Sequence, residues 1–246
     1  MNQSLQMWIE QITHEDDNLR SQAVLHFGEL GGDMSVAILI DALKNETDLA
    51  IQEDICFALV KIGSLALPDL IDLLLNLEAP LAQRRYAAHT LSKMKDAAAV
   101  EALIKTLADP DRLLKNKVIY ALGQIGDTRA VPPLVDLLGV EDLELRATLA
   151  DVLLEFGEAA LPLLITNLHN NRWPVREQAA DILSLIADER AVEGLSQLAR
   201  DYYWEVRFAA VNALASIEGP AAQEALKKFL LDPDPKVSRL AARFCG

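Results

Sequence analysis

The sequence predicts an all-α protein, an alpha-alpha superhelix of about eight antiparallel helix pairs. Three observations predict it: a period of 30 to 32 residues, two amphipathic helical patterns inside each period, and a glycine or small residue closing most periods. The period is legible from Asp17 to Ser216 and plainest as ALGQIGDTRAVPPLVDLL over Ala121 to Leu138. A repeat of this length marks a stack of supersecondary units, each of which buries its apolar face only against a neighbour.

The register is set by one column, a basic or polar residue just inside one helix of each pair: Arg20, Gln52, Arg84, Lys115, Arg146, Arg176, Arg207 and Ser238. Ten residues further on stands an apolar residue, Leu30, Ile62, Met94, Ile125, Phe156, Ile186 or Ile217. Gly31, Gly63, Gly126, Gly157 and Ala187 follow five of these, which predicts a helix closed by a left-handed residue. Gln52 replaces the arginine, and Lys95 and Ala187 replace the glycine, so these units depart from the common pattern.

Each period divides into a first and a second helix. Val131, Leu134, Val135, Leu137 and Leu138 recur three and four apart and predict one first helix; Leu114, Val118, Ile119, Leu122 and Ile125 predict the second helix before it. Between first and second helices lies an Asp-rich turn, as at Asp109 to Asp111 and Asp232 to Pro235, whose side-chain oxygens can cap the helix that follows. The chain is expected to begin in a first helix near Ser4, with Leu5, Trp8, Ile9 and Ile12 aligned on Val36, Leu39, Ile40 and Leu43, and to end in a second helix near Cys245. No Pro/Gly/Ser linker interrupts the pattern, so residues 1–246 read as a single repeat domain.

Composition fits this reading. Hydrophobic residues make up 51% of the chain, yet no run approaches the roughly 18 to 20 apolar residues of a membrane span. Small residues such as Ala87, Ala88, Ala179, Ala180, Ala209 and Ala210 let helices approach to roughly 8 to 10 Å. The N-terminus lacks the basic region and long apolar run of a secretory signal, and Cys56 and Cys245 stand too far apart in a stack to pair, so a reduced cytoplasmic compartment is expected. With 23 basic against 37 acidic residues the chain carries a formal charge of -14, which argues against nucleic acid and for either a basic partner surface or simple solubility. No His/Cys set has zinc spacing and no phosphate-binding loop is present, so neither a metal nor a nucleotide is expected.

The segments Lys115 to Leu134 and Val175 to Val192 resemble the HEAT-like repeat of the phycobilisome-lyase type, and the resemblance extends over nearly the whole chain. It implies a scaffold shared by adaptors, E/F-type phycobilin lyases and chromophore-detaching proteins, the lyases being pairs of HEAT-like chains. HEAT-like deoxyhypusine hydroxylases hold a di-iron centre on several His-Glu pairs, and here His14 with Glu15 is the one such pair. The resemblance also implies that the arginine column is a structural ladder, with Asp17 and Arg20, Asp142 and Arg146, and Asp201 and Arg207 as candidate partners, each basic side chain reaching turn carbonyls or the next Asp.

The resemblance further implies that the second helices line a concave surface. One column on it reads Ser21, Glu53, Arg85, Asn116, Ala147, Glu177, Phe208 and Arg239; another, one turn on, reads Leu25, Phe57, His89, Tyr120, Asp151, Asp181, Asn212 and Arg243. Trp173 and Trp204 stand one period apart, flanked by Tyr202 and Tyr203. Two readings stay open: the tryptophans stack as a platform for a peptide anchor or flat ligand, or they staple the turn over the end of each unit.

The expected function is a non-catalytic adaptor that binds a protein partner on this concave face. Contacts are expected at Trp173, Tyr203, Trp204 and Phe208, with a second zone at Arg85, His89 and Tyr120, and with Asp151, Asp181 and Asn212 on the same surface. Glu53, Asp54 and Glu177 read as a solvated acidic face. No catalytic residue and no cofactor are expected. The alternative is a bilin lyase or detaching protein acting on a tetrapyrrole-bearing phycobiliprotein, in which Arg85, Tyr86, His89 and Tyr120 with Asp151 and Asp181 hold a transient linear tetrapyrrole. The partner would then be a phycobiliprotein or a second HEAT-like chain.

Overall fold

The computed structural model describes residues 3–245, and the regular elements among them are α-helices joined by turns and short 3-10 segments. They form two compact units that meet in sequence at Ile125 and Gly126. The first contains α1 (Gln3–Gln11), α2 (Asp17–Leu30), α3 (Gly32–Asn45), α4 (Leu49–Ile62), α5 (Leu67–Leu75), α6 (Leu81–Met94), α7 (Val100–Thr106) and α8 (Arg112–Ile125). The second contains α9 (Val131–Val135), α10 (Leu143–Phe156), α11 (Leu161–Asn167), α12 (Trp173–Ile186), α13 (Val192–Gln197), α14 (Trp204–Ser216), α15 (Pro220–Leu226) and α16 (Pro235–Phe244). Odd-numbered helices are the predicted first helices and even-numbered ones the second. Within each unit every second helix packs on the next second helix and on its own first helix, giving two layers with the apolar core between them.

Local chemistry sets the helix ends. Asp48 caps α4 by accepting from the N–H groups of Ala50 and Ile51, and Asp142 and Asp234 accept at the starts of α10 and α16. Gly31, Gly63, Gly126 and Gly157 close their helices at positive φ, and Lys95 and Ala187 do the same at φ 53° and 55°, so the backbone keeps the repeat's geometry where the glycine is lost.

The first helices are shorter than the hydrophobic pattern suggests. The helix expected through Leu138 stops at Val135, and the chain turns through i to i+3 hydrogen bonds from Leu137 N to Leu134 O and Leu138 N to Val135 O. Gly139 explains the stop: at φ 77° it abuts the start of α12, where a Cβ would stand 2.8 Å from Val175 Cγ2, and its N–H donates to Gln178 Oε1 at 2.8 Å.

The core follows the predicted stripes, with Phe27, Leu59, Leu91, Leu122, Leu153, Leu183 and Leu214 fully buried at equivalent places in successive second helices. Small residues bring those helices together: a Cβ on Gly28 would meet Ala58 Cβ at 2.9 Å. The exception is α1. Of the four residues expected to match the next first helix only Ile12, just past the end of α1, is buried, and Trp8 instead stacks on His26 with ring centroids 4.4 Å apart.

The arginine column forms a ladder, with partners that differ from those expected. Each guanidinium reaches back to the carbonyls of its own turn and forward to a carboxylate in the next turn. Arg20 donates to His14 O and Glu15 O and pairs with Glu46; Arg176 donates to Asn170 O and pairs with Asp201; Arg207 donates to Asp201 O and pairs with Asp232. Arg84, paired with Asp109 at 2.6 Å, donates to Leu74 O. Asp17 does reach Arg20, at 2.8 Å. Asp201, expected to give Arg207 its carboxylate, offers that residue its carbonyl and keeps the carboxylate for Arg176. Arg146 breaks the series because the following turn, Leu168 to Arg172, contains no carboxylate; its guanidinium turns to Glu177 and Asp181 on α12.

Candidate functional site

Residues three before, one after and five after the ladder position are four apart, so on each second helix they form a single stripe. The structure turns this stripe outward: Leu25, Phe57 and Tyr120 are more than half or about half exposed, Asp151 and Asp181 are exposed, and Asn212 and Phe208 are half-buried. Of the expected site residues, Arg85, His89 and Tyr120 belong to the first unit, and Trp173, Tyr203, Trp204, Phe208, Asp151, Asp181 and Asn212 belong to the second.

In the first unit the stripe converges on Glu53, which the sequence reading left as a solvated acid. Its carboxylate accepts from Lys93 Nζ at 2.7 Å, and its other oxygen lies 2.9 Å from His89 Nε2, off the line of a hydrogen bond. The Lys93 hydrogen bond holds the Glu53 carboxyl below its ordinary pKa. Burial pushes the His89 imidazole pKa down, against the pull of Glu53 and with the help of Lys93 and Lys117. Lys93 also lies over the exposed Phe57 ring, 4.1 Å from its centroid. Glu53, Ala82, Arg85, Tyr86, His89 and Lys117 line a pocket of about 200 Å³.

Arg85 is less available than its place in the column suggests, because Asp111 takes it in a bidentate pair at 3.0 and 2.7 Å. Beneath this cluster Cys56 is fully buried; it accepts from Thr90 Oγ1 at 3.0 Å, and burial pushes its thiol pKa up to about 11. A thiol so held is a packing group, not a nucleophile. Lys93 escaped the sequence reading although it is the next member of the Arg85 and His89 stripe, four residues on. A second cleft, of about 600 Å³, lies between α1 and α3, lined by Ile9, Ile12, Met34 and Ile38 among others.

In the second unit each tryptophan has its own partner. Trp173 stacks on Tyr203 with centroids 5.0 Å apart, and the 89% exposed Tyr202 meets Tyr203 edge to face at 5.2 Å. Trp204 meets Phe208 edge to face at 6.2 Å and carries Lys236 over its ring at 4.0 Å. The rings therefore tie turn to helix and helix to helix, as in the stapling reading, while Tyr202, Tyr203 and the half-buried faces of Trp204 and Phe208 remain presented.

Beside them, Arg146 Nη2 lies 3.0 Å from Glu177 and 3.7 Å from Asp181. Asp181 sits at a crowded point of the helix layer: desolvation, then the neighbouring Glu177 carboxylate, raise its pKa to about 6 against the attraction of Arg146. The arrangement can hold charged and aromatic groups of a ligand. Among the described residues no group of three or more His, Cys, Asp or Glu side chains is placed to hold a metal ion, and no helix is long and apolar enough to cross a membrane.

A family model for HEAT repeats matches residues 5–84, 67–154 and 161–245. The chain is 32% identical over 131 residues to the phycocyanobilin lyase subunit beta of Nostoc sp. (strain PCC 7120), covering 50% of this chain and 64% of that one. It is 34% identical over 146 residues to the bilin biosynthesis protein PecE of Mastigocladus laminosus, covering 58% of this chain and 54% of that one. The chain thus spans less than two thirds of either relative. Among solved structures, Kap95p bound to RanGDP superposes with a TM-score of 0.60 at 13% identity, over 98% of this chain and 40% of that one, a likeness of fold alone.

Proposed function

The chain belongs to the HEAT-repeat family, and from that premise we propose that it is a non-catalytic adaptor whose second-helix face binds a protein partner. The observation that carries this reading is the aromatic group of the second unit: Tyr202 and Tyr203 are exposed at the turn, and Trp204 and Phe208 stand on the outward stripe of α14. In a chain with only 5% aromatic residues such a concentration on one surface is the usual composition of a binding hot spot. The Cys56 thiol is buried and offers no nucleophile to a competing reading. The reading places the chain in a reduced, cytoplasmic setting, where two free cysteines are at home.

Capture from an extract of the native cell, with the chain as bait, tests the proposal. A stoichiometric partner retained by the wild type and lost on Trp204→Ala with Phe208→Ala supports it. Equal capture by both removes this face from the site.

A second reading is favoured by the two bilin-protein relatives: an activity on a tetrapyrrole attached to a phycobiliprotein, alone or with a second HEAT-like chain. Its support in the molecule is the first-unit pocket, where Lys117 can meet a propionate and Tyr86 offers a ring, while Arg85 would first have to leave Asp111. Mixing the chain with free linear tetrapyrrole decides it, because a bound chromophore shifts its absorbance and gains fluorescence; an unchanged spectrum in the presence of a candidate second chain leaves the adaptor.

A further inference from the structure

Charge on the second-helix face of the second unit is ordered from one side to the other. The helices lie in the sequence α10, α12, α14, α16, each in contact with the next. On α10 the outward stripe carries Asp151 and Glu155, both exposed; on α12 it carries Glu177 and Asp181. Against these four carboxylates stands the single guanidinium of Arg146, already committed to Glu177 at 3.0 Å. The stripe of α14 is uncharged, Trp204, Phe208 and Asn212. The stripe of α16, a helix with no acidic residue in its sequence PKVSRLAARF, carries Pro235, Arg239 and Arg243, and Lys236 lies beside it over the Trp204 ring; the three basic residues are all exposed. Among the described residues neither Asp151, Glu155 nor Arg239 forms an ion pair.

A basic helix in a chain whose formal charge is -14 is not explained by composition. Nor is it explained by the ladder, since Ser238 stands at the ladder position of α16 and Asp232 is satisfied by Arg207. What remains is a surface that is negative over two helices, aromatic over the third and positive over the fourth.

We propose that this face seats one peptide segment of a partner protein, lying across the helices, basic at the end over α10 and α12, apolar over Trp204 and Phe208, and acidic at the end over α16. The inference rests on the adaptor reading and names the chemistry of its partner. Adjacent helices stand roughly 8 to 10 Å apart, so four of them span roughly 30 Å. An extended segment covers that in about nine residues at about 3.3 Å each, the length scale on which the charge order is written. Complementary ends fix the register and suppress wrong partners, while the rings supply the buried area. A uniformly acidic or uniformly basic segment meets repulsion at one end.

The test uses the full chain and synthetic peptides of about ten residues, labelled for fluorescence anisotropy. The graded peptide runs from lysines through a leucine-phenylalanine centre to glutamates; a control of identical composition interleaves the charges, and two others are all-lysine and all-glutamate at the charged positions. The graded peptide is expected to bind about tenfold or more tighter than each control, and Arg239→Glu with Arg243→Glu, or separately Asp151→Lys, to reduce its affinity about tenfold. These side chains are exposed, and thermal melting monitored by circular dichroism checks that each variant folds. Equal binding of graded and interleaved peptides, or tighter binding of a single-sign peptide, overturns the inference. If the graded peptide fails to bind while a cellular partner is still captured through Trp204 and Phe208, the adaptor reading stands and the charge order is not its code; failure of both removes both.

Discussion

Arg207 closes on Asp232 twenty-five residues ahead of it, Nε to Oδ2 at 2.7 Å and Nη2 to Oδ1 at 2.9 Å, while its Nη1 donates backward to Asp201 O at 2.8 Å. One planar group thus joins two consecutive turns, and the pair is almost wholly withdrawn from water, with side chains 9% and 2% exposed. Removing one partner strands the other's charge. Arg207→Ala is therefore expected to cost about 3 kcal/mol in equilibrium urea unfolding, and Arg207→Lys to restore little, because a point charge does not replace the bidentate fork. A loss under about 1 kcal/mol would show that the ladder is decoration.

Asp181 gives a pH-dependent prediction. Its folded pKa, about 6, lies above the ordinary 3.8, so between these values the folded state binds more protons than the unfolded one. Stability from this group is present below the unfolded value, falls as pH rises through about 6, and is absent above it. Asp181→Asn should therefore stabilise the protein at pH 7.5 and have no stabilising effect at pH 3.5. The side chain is half exposed, which limits the gain to about 1 kcal/mol or less. Thermal melts of both proteins at the two pH values check the sign; a gain that is larger in acid contradicts it.

Ala187 holds φ 55° at the end of α12, a conformation that costs a residue with a Cβ roughly 1 to 2 kcal/mol. Ala187→Gly is expected to raise stability by about 1 kcal/mol, part of the relief being offset by the entropy of a freer unfolded chain. A lower melting temperature for the variant would mean that the alanine methyl group has a packing role.

Gly28→Ala should act in the opposite sense although alanine is the better helix former. The new Cβ would stand 2.9 Å from Ala58 Cβ and 3.1 Å from Ala58 Cα, so α2 and α4 must separate. Overpacking of this kind costs about 1 to 3 kcal/mol against a propensity gain of about 1. The double variant with Ala58→Gly recovers part of the loss, and the non-additivity of the cycle measures the contact.

The helix pairs, their order and most of their ends were legible in the chain itself. Repetition supplies many samples of one local rule: leucine and isoleucine three and four apart make a stripe, aspartate caps the following helix, and a small or glycine residue closes it at positive φ. Even Lys95 and Ala187 obey the backbone rule that their identity hides. Where a local signal had to compete with a distant contact the reading failed. The helix expected to reach Leu138 ends early because Gly139 meets Val175, and Leu5, Trp8 and Ile9 share the pattern of the next unit without its burial, Trp8 stacking on His26 instead.

At the candidate site, spacing groups residues by face, and in the structure Arg85 and His89 line one pocket while Phe208 and Asn212 are half-buried on α14. It does not say which of them are already taken. Arg85 is spent on Asp111, Arg146 is released from the ladder toward Asp181, and Glu53 becomes the centre of a cluster with His89 and Lys93. Periodicity is a property of one chain read in order, so the sequence determines the faces; pairing depends on distances between side chains some twenty-five to forty residues apart, which exist only once the helices are packed.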